Sequence, residues 1–236
     1  MTLTILDGSI GQELVKRSSE APTGLWSTEV LLKQPELILA VHADYFAAGA
    51  DVATSNSYAV HRDRMARFGI DEQFEPLLMA AIELANAARD AHGSGLVAGS
   101  IGPAGWSYRP SQAPPEEQGA EIYAEVAKIL STHADVLLFE TMSSVLEAKS
   151  ALMGSRSVSK PVWLAVSVDD TDGSKLRSGE DLLDILALAI EFQPEALLIN
   201  CSVPEAVNQS MAILDDKNLQ PMRLGAYANG FKKITE

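Results

Sequence analysis

Val136-Leu137-Leu138-Phe139-Glu140-Thr141 is a short apolar run closed by a carboxylate and a hydroxyl. Four apolar residues in a row cannot alternate between a wet and a dry face. A strand built from them is covered on both sides, as in a parallel sheet packed under helices. Six further runs share the pattern, at residues 3–7, 51–58, 96–102, 162–168, 196–202 and 223–229. Their starts lie about 37 residues apart on average, which leaves room for a helix after each. The intervening chain supplies those helices. Pro35 opens one that closes at Gly49, and amphipathic stretches cover 71–92, 117–133, 144–155, 179–192 and 204–215.

This alternation predicts an α/β fold, either a barrel or an open doubly wound sheet. No Gly-x-Gly-x-x-Gly and no Gly-x-x-x-x-Gly-Lys loop follows the first run, which weakens the open nucleotide-binding sheet. A (β/α)8 TIM barrel closes with eight strands. Seven are counted here, and residues 230–236 read as the opening of another crossover. The expectation is a C-terminally incomplete barrel. Its gap, between the first and seventh strands, would be covered by a partner chain (a homo-oligomer being one form) or by a rearranged terminus. No linker, repeat or composition step divides residues 1–236, so one domain is expected. Residues 102–115, with four prolines and two aromatics, read as one long functional loop.

Composition narrows the function classes. Of 236 residues, 18 are basic and 32 acidic, a net charge of −14, which argues against binding nucleic acid or an anionic membrane surface. No stretch reaches the roughly 18 to 20 apolar residues of a membrane helix, and residues 1–7 lack the basic start of a secretory signal. A single cysteine, Cys201, excludes an internal disulfide and fits a reducing cytoplasm. It also prevents the chain from building a multi-cysteine metal site alone.

Polar residues at the strand ends are the candidates for chemistry, because a parallel α/β fold gathers its active site there. Asp7 either meets a ligand ammonium or caps the helix that follows. Trp26 lines a pocket or packs in a satellite core. Asn56 and Tyr58 end the second run, where Thr54-Ser55-Asn56-Ser57 places marked polarity. Glu140 interrupts an apolar run and must be paired with a ligand or a structural cation. Cys201, after Asn200, is a reactive thiol or a small core residue. His42, His61, His92 and His133 form no metal spacing and pair with no cysteine, so they read as surface or packing residues.

The ordered set of short motifs resembles the homocysteine S-methyltransferase family. It comprises Asp7-Gly8-Ser9-Ile10-Gly11, Leu25-Trp26-Ser27, His42-Ala43-Asp44-Tyr45, Thr54-Ser55-Asn56-Ser57-Tyr58, Gly99-Ser100-Ile101-Gly102-Pro103, Phe139-Glu140-Thr141, Asn200-Cys201-Ser202 and Tyr227-Ala228-Asn229. The resemblance spans nearly the whole chain. It implies a zinc-dependent (β/α)8 barrel that moves a methyl group from a sulfonium, ammonium or related donor to the thiol of homocysteine, giving methionine. It also implies that Asp7 and Glu140 are catalytic and hold or orient homocysteine. Trp26, Asn56, Tyr58 and Asn200 would complete the substrate contacts, with Trp26 and Tyr58 facing an onium donor. Cys201 would be one of three zinc ligands. The other two belong to a Gly-Gly-Cys-Cys motif that this sequence does not contain, so zinc binding by this chain is expected to be weak or absent. Two alternatives stand beside this reading: an inactive barrel acting as a binding protein, and a metal-free barrel lyase using Glu140 and Asp7.

Overall fold

The computed structural model describes residues 3–18, 24–25, 27–217 and 221–230. The helices are α1 (Ile10–Arg17), α2 (Ser27–Lys33), α3 (Pro35–Ala47), α4 (Arg62–Arg67), α5 (Phe74–His92), α6 (Glu116–Leu130), α7 (Val145–Ser155), α8 (Leu182–Phe192) and α9 (Pro204–Asp215). The strands are β1 (Val52–Thr54), β2 (Leu96–Ile101), β3 (Val136–Met142), β4 (Val162–Val166), β5 (Ala196–Asn200) and β6 (Arg223–Tyr227). The sheet order is β1-β2-β3-β4-β5-β6, the same as the chain order. A doubly wound sheet reverses its order at a switch point. Here nothing reverses, which is the strand succession of a (β/α) barrel.

The chain divides into two compact units, residues 1–101 with 126–137, and residues 102–125 with 138–236. In the first, β1 and β2 run parallel, with Val52 beside Leu96 and Thr54 beside Ala98. α3 starts on Pro35 at its first turn and buries Ile38, Val41, His42 and Phe46. α5 buries Phe74, Leu77, Leu78, Ala81, Ile82, Ala85 and Ala88, a stripe of helical period, and ends on left-handed Gly93. In the second unit β4, β5 and β6 are parallel neighbours, with Leu198 beside Ala165 and Gly225. Every residue of β5 is buried, and in β3 only Glu140 is not fully so. Ser144 caps α7 and Asp181 caps α8 with their side-chain oxygens.

The first expected strand is reduced to an isolated parallel bridge, Leu6 to Val52. The amide of Ile5 donates to the Asp51 side chain instead of a backbone carbonyl. Leu3 and Ile5 remain exposed, so little burial rewards a longer ladder there. Six strands, with this bridge beside β1, are present among the described residues.

His42 is fully buried on α3, and neither ring nitrogen has a hydrogen-bond partner. Burial pulls its pKa down from 6.5 to about 4. A depressed imidazole contributes stability that is complete above the unfolded value and is lost as pH falls from about 6.5 to about 4. At pH 4.5 the wild type should therefore have lost up to ~3 kcal/mol relative to His42→Phe, compared with pH 7.5. Urea unfolding of both proteins at the two pH values measures this difference. Equal losses in the two would show that the fold does not depress the His42 pKa.

Candidate active site

In the second unit, β3 and β5 bring Glu140, Thr141, Asn200 and Cys201 into one hydrogen-bonded cluster. The Asn200 amide is fully buried, and its Nδ2 donates to Thr141 Oγ1 at 3.0 Å, Cys201 Sγ at 3.3 Å and Glu140 Oε2 at 3.4 Å. Its Oδ1 accepts from the Thr141 backbone N–H at 3.2 Å. Thr141 Oγ1 donates to Cys201 Sγ at 3.4 Å. From β6, the Tyr227 hydroxyl donates to Glu140 Oε2 at 2.9 Å. Glu140 is thus oriented by an amide and a phenol.

The backbone is strained where the chemistry gathers. Thr141 (φ 65°) and Cys201 (φ 52°) are left-handed without being glycine. For β-branched Thr141 this is an outlier, and each such residue costs about 1–3 kcal/mol unless its surroundings hold it. Tyr108, in the loop after β2, is left-handed too (φ 64°). Its hydroxyl bonds the Cys201 thiol, and its ring lies under the Arg177 guanidinium, 4.7 Å from centroid to Cζ. Arg177 forks onto buried Asp170 at 3.1 and 3.4 Å and also donates to the Cys201 carbonyl at 3.0 Å. Asp170 in turn accepts from the Val203 amide at the head of α9. Burial, and then the charge of Glu140, push the Cys201 thiol up to about 11. On its own this thiol is protonated at neutral pH and is a poor nucleophile.

In the first unit Asp7 is buried. Its carboxylate accepts from the Thr54 backbone N–H at 2.8 Å and from Thr54 Oγ1 at 2.9 Å. It does not cap α1; Ser9 does, accepting from the Gln12 N–H, because that side chain sits at the N-terminal turn while Asp7 turns back to β1. Asn56 donates to the Ser27 carbonyl at 3.0 Å, tying the end of β1 to α2. Tyr58 is half-buried within electrostatic reach of Arg64. Trp26 lies outside the described residues.

Sequence alone points to Glu140, Asn200 and Cys201 but not to Tyr108, Thr141, Asp170, Arg177 or Tyr227 as site residues. Three of these left a signal. Thr141 closes the apolar run beside Glu140, Tyr108 stands in the proline-rich 102–115 loop, and Tyr227 in the last predicted strand's run. Asp170 and Arg177 left none. A cavity of about 290 Å³ opens at the N-terminal ends of β4 and β5, between Val162, Phe192 and Glu195, away from this cluster. Its lining includes Ser155, Lys160, Gln193 and Glu195 but none of Glu140, Thr141, Asn200 or Cys201.

The donor set decides how well a metal fits. Among the described residues no three His, Cys, Asp or Glu side chains converge to hold an ion. Cys201 is one soft ligand, with hydroxyl and amide donors and the one carboxylate of Glu140 in its cluster rather than further thiolates. A three-thiolate zinc centre therefore does not fit the residues present.

The profile of the homocysteine S-methyltransferase family matches residues 4–235. The chain belongs to that family. It is 32% identical to homocysteine S-methyltransferase of Escherichia coli over 93% of this chain and 76% of the relative. Homocysteine S-methyltransferase YbgG of Bacillus subtilis is also 32% identical, over 85% of this chain and 69% of the relative. The crystal structure of the homocysteine methyltransferase MmuM from Escherichia coli, in its metallated form, superposes with a TM-score of 0.83 at 31% identity, covering 97% of this chain and 84% of that one. No helix among the described residues is long and apolar enough to cross a membrane.

Proposed function

We propose that the strand-end cluster of β3, β5 and β6 binds homocysteine and that the chain serves methyl transfer to its sulfur, giving methionine. The observation that carries this reading is Glu140, a partly exposed carboxylate held by Tyr227 and Asn200 beside the Cys201 thiol. Two donors on one carboxylate fix its lone pairs in place, so that an amino-acid ammonium meets an oriented anion without having to organise it. Asn200 fixes Cys201 Sγ in the same network and so ties the thiol to that anion. Asp7, Trp26, Asn56 and Tyr58 are proposed as further substrate contacts on the strength of the family resemblance alone. Family membership supports the substrate and the reaction. Because the donor set does not fit zinc, these residues account for binding and orienting the substrate and leave the activation of its thiol to groups outside the cluster.

Titration calorimetry with L-homocysteine tests the binding step. Glu140→Gln keeps the shape and removes the charge, so affinity should fall about ten- to hundredfold, the worth of one charge-assisted hydrogen bond. Tyr227→Phe should weaken binding less, since it loosens the carboxylate without removing it. Unchanged affinity in Glu140→Gln would remove the ammonium-binding role.

A further inference from the structure

We propose that Glu147, a residue of α7, is the positioning residue that holds the Thr141–Cys201 corner in its left-handed form, acting through Ser143. This deepens the reading of the cluster as the homocysteine site and rests on it for its functional consequence.

Glu147 is almost fully buried, 2% exposed, which is unusual for a carboxylate. Its Oε2 accepts from the Ser143 backbone N–H at 2.6 Å. Its own N–H donates to Ser144 Oγ at 3.2 Å and its carboxylate also meets the Ser144 backbone, so Ser144-Val145-Leu146-Glu147 is a capping box that reaches one residue further toward the strand, to Ser143. Ser143, also fully buried, donates through Oγ to the Thr141 carbonyl at 3.2 Å. Thr141 then donates to Cys201 Sγ and meets Asn200 at both its backbone N–H and its hydroxyl. A continuous path therefore runs from a buried helix-cap carboxylate to the strained residue and on to the thiol.

The path has a physical purpose. A left-handed β-branched residue persists only where neighbours over-determine it. Asn200 pins Thr141 from β5, but the two peptides after Thr141 must also be held: Ser143 Oγ holds the Thr141 carbonyl, and Glu147 holds the next peptide through the Ser143 N–H. Charge adds a supporting detail: burial raises the Glu147 carboxyl to about 7, against the pull of the Ser143 and Ser144 donors. Glu180, which accepts from the Val145 N–H, is the charged neighbour that raises it further. A cap alone would be served as well by a solvent-facing glutamate. Burying it beside another carboxylate is a cost that a positioning task explains.

The test uses two readouts, the backbone NMR signature of Thr141 (its amide–Hα coupling and carbon shifts) and homocysteine affinity by calorimetry. Glu147→Gln keeps an oxygen to accept from Ser143, so both readouts should stay within twofold of wild type. Glu147→Ala should lose the left-handed signature and about tenfold in affinity. Ser143→Ala cuts only the link to the Thr141 carbonyl and should show the same losses while keeping the cap, so it decides the matter if Glu147→Ala does not fold. A left-handed Thr141 signature that persists in folded Glu147→Ala or in Ser143→Ala would overturn the proposal. If the signature moves while wild-type chain binds no homocysteine, the positioning role stands and the substrate reading falls. If homocysteine binds and the signature never moves, the reverse holds.

Discussion

Purified from zinc-supplemented medium, the 236-residue chain should retain well under one equivalent of zinc and form methionine at a rate near background. The reason is ligand count. Complete structural zinc sites have apparent binding free energies of about 10 to 16 kcal/mol, and one thiol in place of three forfeits most of that. Cys201 is the chain's single cysteine, and among the described residues no three His, Cys, Asp or Glu side chains converge to hold an ion. The high thiol pKa acts in the same direction, since a thiol at about 11 must lose its proton to bind metal. A version extended through a Gly-Gly-Cys-Cys segment should retain zinc and turn over homocysteine, and Cys201→Ser in that version should abolish both. Elemental analysis beside a methionine-formation assay decides it. Stoichiometric zinc or full activity in the 236-residue chain would show that the metal site is made from other residues.

Phe139→Ala should cost about 3–5 kcal/mol, the range for emptying a buried phenylalanine site. Phe139 is fully buried on β3, and its ring meets Tyr123 edge to face, with centroids 5.8 Å apart and planes at 80°. Such a pair adds about 0.5–1.5 kcal/mol beyond the area it buries. Tyr123 is itself committed, because its hydroxyl accepts from the Ala104 N–H and lies 3.5 Å from Met142 Sδ, so it cannot swing into the hole. The midpoint of urea unfolding should fall with little change in slope. Leu183→Ala, at a 41% exposed position on α8, provides the contrast and should move stability by about 0.5 kcal/mol or less. A Phe139→Ala loss as small as that of Leu183→Ala would mean the core refills.

Much of this was legible in the residues. The apolar runs around Phe139 and Ile199 announced buried parallel strands, and Pro35 and Gly49 marked the ends of a helix through their own backbone limits. Glu140, Asn200 and Cys201 stood out because each breaks an apolar run. The short helices α1, α2 and α4, of 8, 7 and 6 residues, span about two turns each, too little for a periodic pattern to declare itself. Partners were not legible at all. Nothing local in Arg177 indicates that it lies over Tyr108, 69 positions earlier, or holds the Cys201 carbonyl. Nor does Asp7 announce Thr54 as the group that satisfies it. Those contacts belong to tertiary structure, where a side chain's role is set by what the fold brings to it.

The left-handed residues at Thr141 and Cys201 limit how this chain can be made more durable. Glycine adopts that backbone freely, so Gly at either position would release the strain at a smaller entropic cost. Ordinary searches for thermostability would favour such changes. Yet Thr141→Gly deletes the hydroxyl that meets Cys201, and Cys201→Gly deletes the thiol itself. The most accessible gains in stability therefore coincide with the residues the site needs, and hardening this protein without disarming it means working on the frayed pairing at Leu3 and Ile5 instead.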